Sequence, residues 1–166
     1  MRKFACVILF SGLSHFIWSS PVLGGGSWST LGSGMNGYVN ALAWDGSGNL
    51  YAGGDFTTAG GVTANYVAKW NGTSWSALGS GINGTVNSFA LDGSGNLYAG
   101  GIFTVPDSYI AKWNGSSWSD VGSGMDNNVW SLMWDGSSNL YAGGDFFTAG
   151  FVTVNHIANG AQDGFL

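Results

Sequence analysis

The chain has 166 residues, of which 8% are charged and 45% hydrophobic, and its formal net charge is −5 at pH 7. Soluble domains usually carry about 25% charged residues, so solubility here rests on Ser, Thr, Asn and the 30 glycines. With no glutamate, and with Arg2, Lys3, Lys69 and Lys112 as its bases, the chain has no cationic face for a phosphate backbone, and a nucleic-acid partner is not expected.

Residues 1–24 differ in kind from the rest. Arg2 and Lys3 precede an apolar run over residues 4–10 that extends unevenly to Trp18, and Val22-Leu23-Gly24 is a small-residue end suited to cleavage. This is the pattern of a secretory signal peptide. Ser11, Ser14 and His15 break the run, leaving it short of the roughly 20 apolar residues of a spanning helix. No stable membrane span is therefore expected after cleavage, and the mature chain is expected to be secreted or at the cell surface. The single cysteine, Cys6, falls within the leader. Stability outside the cell would then come from packing and not from disulfides.

Residues 25–166 read as a repeat region with units 27–73, 74–116 and 117–166. Ser27-Trp28-Ser29, Ser74-Trp75-Ser76 and Ser117-Trp118-Ser119 head the copies, giving periods of 47 and 43 residues. Units of this kind bury a core only together. In the first unit, residues 39–44 alternate as a strand, residues 45–49 (DGSGN) turn, and residues 50–56 (LYAGGDF) return. A looser connection over residues 57–65 leads to a strand at 66–70, the turn Asn71-Gly72-Thr73 and a last strand at 74–78. Asn-Gly tolerates the positive φ that tight hairpins demand. The same four strands recur over residues 86–121, with residues 104–108 in place of 57–65. Length variation belongs in a rim loop. Rich in Trp, Tyr, Phe, Val and Thr, the chain is expected to be all-β.

Four strands in each period are the size of one β-propeller blade. On Asn49-Leu50-Tyr51-Ala52-Gly53-Gly54-Asp55-Phe56 and Ala68-Lys69-Trp70-Asn71-Gly72, matched by residues 96–103 and 111–115, the chain resembles secreted repeat proteins with propeller folds. More distantly it is similar to delta-60 and Kelch-type propellers and to the repeats of fungal cortical polarity markers. The resemblance implies β-propeller repeats with three four-stranded blade equivalents. It implies no particular function, since such folds serve as binding scaffolds as often as enzymes.

Strand phase refines this expectation. Residues 27–31 read as a last-type strand standing before the first full unit, and residues 153–158 as a third-type strand whose successor is missing. That phase suits closure of a ring, but three blades fall below the usual four to eight. Two copies completing one ring, a piece of a longer protein, and an open stack are the alternatives. Where the first two units carry Lys-Trp, the third reads Ile157-Ala158-Asn159-Gly160, which favours a truncated product.

Three kinds of candidate site stand out. Asp45, Ser47 and Asn49, repeated at 92, 94, 96 and at 135, 137, 139, have the spacing of a calcium loop. One carboxylate per loop is few for calcium, however, and turn chemistry accounts for every residue, with Gly46, Gly93 and Gly136 in the left-handed position. No metal and no cofactor are expected. The recurring Trp28, Trp75 and Trp118, Trp70 and Trp113, and Tyr51, Tyr98 and Tyr141 suit a sugar platform, but identity in every unit points to contacts between blades, with Gly53 and Gly54 allowing close approach. Trp130, in place of Asn40 and Asn87, and Phe147 and Phe151, in place of Thr57 and Gly61, are unique and are the candidate contact residues. Asp55 and Asp145 are the paired carboxylates a glycosidase would need; Ile102 fills their place in the middle unit, and capping of strand-end amides is the simpler role. His156 stands where Tyr66 and Tyr109 do and reads as a strand residue, not a general base. The chain is thus expected to be a non-catalytic scaffold for protein or glycan, with a truncated fragment or a glycan-active enzyme as alternatives.

Overall fold

The structure, a computed structural model, describes residues 27–106 and 108–161; the leader expected over residues 1–24 lies outside them. The first two sheets each take their last strand from the head of the next sequence unit: the first group is β1 (Tyr38–Trp44), β2 (Leu50–Asp55), the short pair β3 (Thr58–Ala59) and β4 (Val62–Thr63), β5 (Val67–Trp70) and β6 (Trp75–Ala77). The second forms β7 (Thr85–Leu91), β8 (Leu97–Ile102), β9 (Ile110–Trp113) and β10 (Trp118–Ser119). The third forms β11 (Val129–Trp134), β12 (Asn139–Gly144), the short pair β13 (Thr148–Ala149) and β14 (Val152–Thr153), and β15 (Ile157–Ala161). The main sheets are antiparallel, in the orders β1-β2-β5-β6, β10-β9-β8-β7 and β11-β12-β15. The fold is all-β and propeller-type, with three strands in the third sheet among the described residues.

Side-chain hydrogen bonds close the hairpins. Asp45 Oδ1 accepts from the amides of Ser47 and Asn49 at 2.8 and 3.0 Å, while the Asn49 side chain donates to Oδ2. Asp92 and Asp135 repeat the arrangement. Gly46 and Gly136 are left-handed as expected, at φ 74° and 83°. In the second copy Gly95, at φ 83°, takes that role and Gly93 does not. With a glycine at either place, the turn can put its positive φ at either without steric cost. Asn71 Oδ1 accepts from the Thr73 and Ser74 amides at 3.0 and 2.9 Å, and Asn114 serves Ser116 and Ser117 likewise.

Three sequence expectations are corrected. Residues 27–31 form no strand: a strand needs a partner, none of the described residues pairs with them, and Trp28 is fully exposed. The late strand is not 153–158 but β15, because Thr153 pairs with Thr148 in the short hairpin and Asn155 and His156 turn the chain at φ 49° and 74°. His156 is therefore not a strand residue. Like Tyr66 and Tyr109, at φ 64° and 67°, it is left-handed just before its strand. Such a conformation costs about 1–2 kcal/mol, but its backbone is fully engaged. The His156 amide donates to Phe146 O, and its carbonyl accepts from Gly144.

Glycine sets how closely the sheets pack. A Cβ on Gly53 would lie 2.6 Å from Val86 Cγ1, and one on Gly100 2.5 Å from Val129 Cγ1. Only hydrogen fits there. Gly54, expected to share this role, faces its own sheet instead, where a Cβ would strike Tyr38 O. The first seam buries Tyr51, Val67, Leu78 and Val86; the second buries Tyr98, Ile110, Val121 and Val129. Each buried aliphatic side chain contributes about 1.5–3 kcal/mol. The tyrosines of the first two units thus belong to the seams. Burial, and then the neighbouring Asp92, push the Tyr98 hydroxyl up to about 12.

The tryptophans after β5 and β9 also build the fold. Trp75 packs on Trp70 and Trp118 on Trp113, each pair with ring centroids 5.4 Å apart. Trp75 Nε1 donates to Leu31 O at 2.9 Å, and Trp118 Nε1 to Leu78 O at 3.0 Å. Each ring fastens the last strand of a sheet to the loop that leads into that sheet.

Candidate functional site

The loops after β2, β8 and β12 differ in content, yet one device holds the start of each. Asn36 Oδ1 accepts from the Thr57 and Thr58 amides at 2.8 and 2.9 Å, and Asn83 Oδ1 from Thr104 and Val105 at 2.9 and 3.0 Å. Asp126 Oδ1 does the same for Phe147 and Thr148 at 2.8 and 3.0 Å. In the first two units the Asn amide also donates to the hydroxyl of Thr57 or Thr104. Asp126 has no amide to donate and Phe147 no hydroxyl to accept, so the two positions have changed together. The Thr148 amide, with that of Phe147, holds the Asp126 carboxyl below the ordinary range.

The clamp escaped the sequence reading, although a spacing of 21 residues joins its members in every unit. Without a partner hydroxyl to supply, Phe147 stands exposed against His156, with ring centroids 4.6 Å apart. Phe151 is exposed on the same loop. These two candidates are therefore brought onto one clamped segment.

Trp130 lies elsewhere, on β11, where the register jumps from Val129 to Ser131; Asn40 and Asn87 sit at the same irregularity in β1 and β7. A bulge re-aims its side chain. Asn40 Nδ2 donates to Val86 O at 3.4 Å and Asn87 Nδ2 to Val129 O at 3.1 Å, each in the following sheet. Trp130 thus holds a position that elsewhere stitches one sheet to the next, and it is exposed. Asp55, the last residue of β2, and Asp145, just past the end of β12, are both exposed, and the second sheet, carrying Ile102, stands between their sheets in chain order.

The turns at residues 45–49, 92–96 and 135–139 are hydrogen-bond hubs. At Asp45 partial burial opposes ionisation, but the bonds from Asn49 and Ser47 outweigh it and keep the carboxyl below its ordinary value. At Asp135 the Asn139 side chain and then the Ser137 amide hold it far below. Both oxygens of each carboxylate are engaged by the turn's own donors, which is the hairpin reading of these residues.

Residues 23–132 match the family described as the Rax2 C-terminal beta propeller domain. The match agrees with the propeller resemblance at the level of fold and does not reach the Kelch-type or delta-60 groups. No curated protein matches the chain.

Proposed function

The chain belongs to the Rax2 C-terminal beta propeller domain family, and from that premise we propose that it is a secreted or cell-surface, non-catalytic scaffold that holds a protein or glycan on its loop rim. The observation that carries this reading is the clamp. One oxygen fixes the start of each loop, while the residues displayed on it change from Thr57 and Gly61 to Phe147 and Phe151. A rigid frame with variable, partly aromatic loops is the general design of a binding surface. Asp55 and Asp145 act in this reading as strand-end residues.

The test is an array of neutral glycans and extracellular proteins probed with the wild-type chain, with Phe147→Ala/Phe151→Ala and with Asp55→Asn/Asp145→Asn. The scaffold reading expects a bound ligand that is lost at least tenfold in the phenylalanine variant and kept in the aspartate variant. Release of reducing sugar by the wild type, abolished in the aspartate variant, would overturn it in favour of a glycosidase.

A further inference from the structure

The two ends of the sheet stack are complementary. Val67 and Ile110 are 0% and 1% exposed, whereas Ile157, at the same place in the third sheet, is 68% exposed. A Cβ on Gly143 would meet only His156 O at 4.0 Å, where Gly53 and Gly100 meet valines. At the opposite end, Val39 and Leu42 are 42% and 63% exposed, while their counterparts Val129 and Leu132 are 0% and 7%. One end thus offers the side chains that a seam glycine receives, and the other offers the glycine.

A second pair of features points the same way. A cavity of about 370 Å³ is lined by Val121, Met125, Leu140, Ala149 and Gly150. Their counterparts Leu31, Met35, Leu50, Ala59 and Gly60 surround Trp75, whose Cδ1 lies 2.7 Å from where a Gly60 Cβ would be. At Gly150 a Cβ would meet only Ser123 Cβ at 3.9 Å. The third sheet therefore has the seat but, among the described residues, no tryptophan in it. Trp28 is the reverse: it shares the Ser-Trp-Ser sequence of residues 74–76 and 117–119 and is fully exposed. Gly160 takes the place of Trp70, so the seat is roomier.

We propose that two copies of this chain pair reciprocally, residues 27–31 of each adding as a strand beside β15 of the other. Trp28 fills the cavity, and Val39 and Leu42 cover Gly143. The three main sheets described in each copy then make a ring within the four to eight blades that propellers use, and both bare seam faces are covered. The register follows from Trp70 opposite Trp75 and Lys69 opposite Ser76: Trp28 lies opposite Gly160, and Ser29 opposite Asn159.

Light scattering on the purified chain is expected to give twice the mass of one chain. Trp28→Ala, a change at an exposed side chain that leaves the three sheets intact, is expected to halve it. In a Cys6→Ser background, Ser29→Cys combined with Asn159→Cys is expected to yield a covalent pair on a non-reducing gel. Wild type at the mass of one chain, a cross-link confined within one chain, or a ladder of higher multiples would each overturn the reciprocal pair.

Discussion

Gly100 and Gly143 occupy the same place in the second and third sheets and live in different worlds. Against Gly100 stand Val129 and Leu132; against Gly143 stands a single carbonyl at the edge of contact. The second sheet is covered on both faces and holds Leu97, Tyr98 and Ile110 at full burial, whereas the third leaves Ile157 bare. The repeated sequence therefore specifies a face, and only a neighbour turns that face into a core. An identical motif contributes stability in one unit and adhesive surface in another.

That contrast can be broken most forcefully at the tryptophans. Trp75→Ala, which removes a buried ring and its bond to Leu31 O, is expected to cost about 3–5 kcal/mol in urea unfolding, while Trp130→Ala is expected to stay within about 0.5 kcal/mol. Equal losses would mean that the exposed ring is structural. Next in size come the glycines. Gly100→Ala forces a methyl against Val129 and is expected to cost about 1–3 kcal/mol; Gly143→Ala, measured in the unpaired Trp28→Ala chain, is expected to stay within about 0.5 kcal/mol. A neutral Gly100→Ala would show that the seam yields.

The smallest effect, absent near neutrality, is alkaline. Tyr98 titrates at about 12 in the folded chain against an ordinary 10.0, so the fold keeps a proton that the unfolded chain releases. The resulting stability is complete below the unfolded value and is lost as pH rises through the folded one. Urea midpoints at about pH 8 and 11 are expected to diverge less in Tyr98→Phe than in the wild type. Unchanged divergence would assign the alkaline loss to another group.

The hairpins were legible in the sequence because their causes are local. Alternation over residues 39–44 marked β1, the turn that follows marked β2 as its return strand, and Asn71-Gly72 closes its turn with side-chain bonds to residues two and three positions on. The failures have non-local causes. Residues 27–31 have the composition of a strand, but pairing depends on a free edge far away in the chain. Tyr66, Tyr109 and His156 are left-handed although bulky L-residues avoid that region, because flanking bonds to Phe56, Phe103 and Phe146 fix them. Phe147 and Phe151 were found as departures from the repeat; the Asp126 that holds their loop was not, since its partners lie a strand pair away.

The loop clamp carries a practical consequence. Asn83 takes hold of the first two amides of its loop, the Tyr109 amide on Phe103 O anchors the approach to β9, and between them Ser108 O accepts from the Met125 amide at 3.1 Å, as Asn65 O does from Ile82. The loop therefore doubles as a tie between neighbouring units, and a graft that removed Ser108 would loosen the entry to the third sheet along with the loop itself.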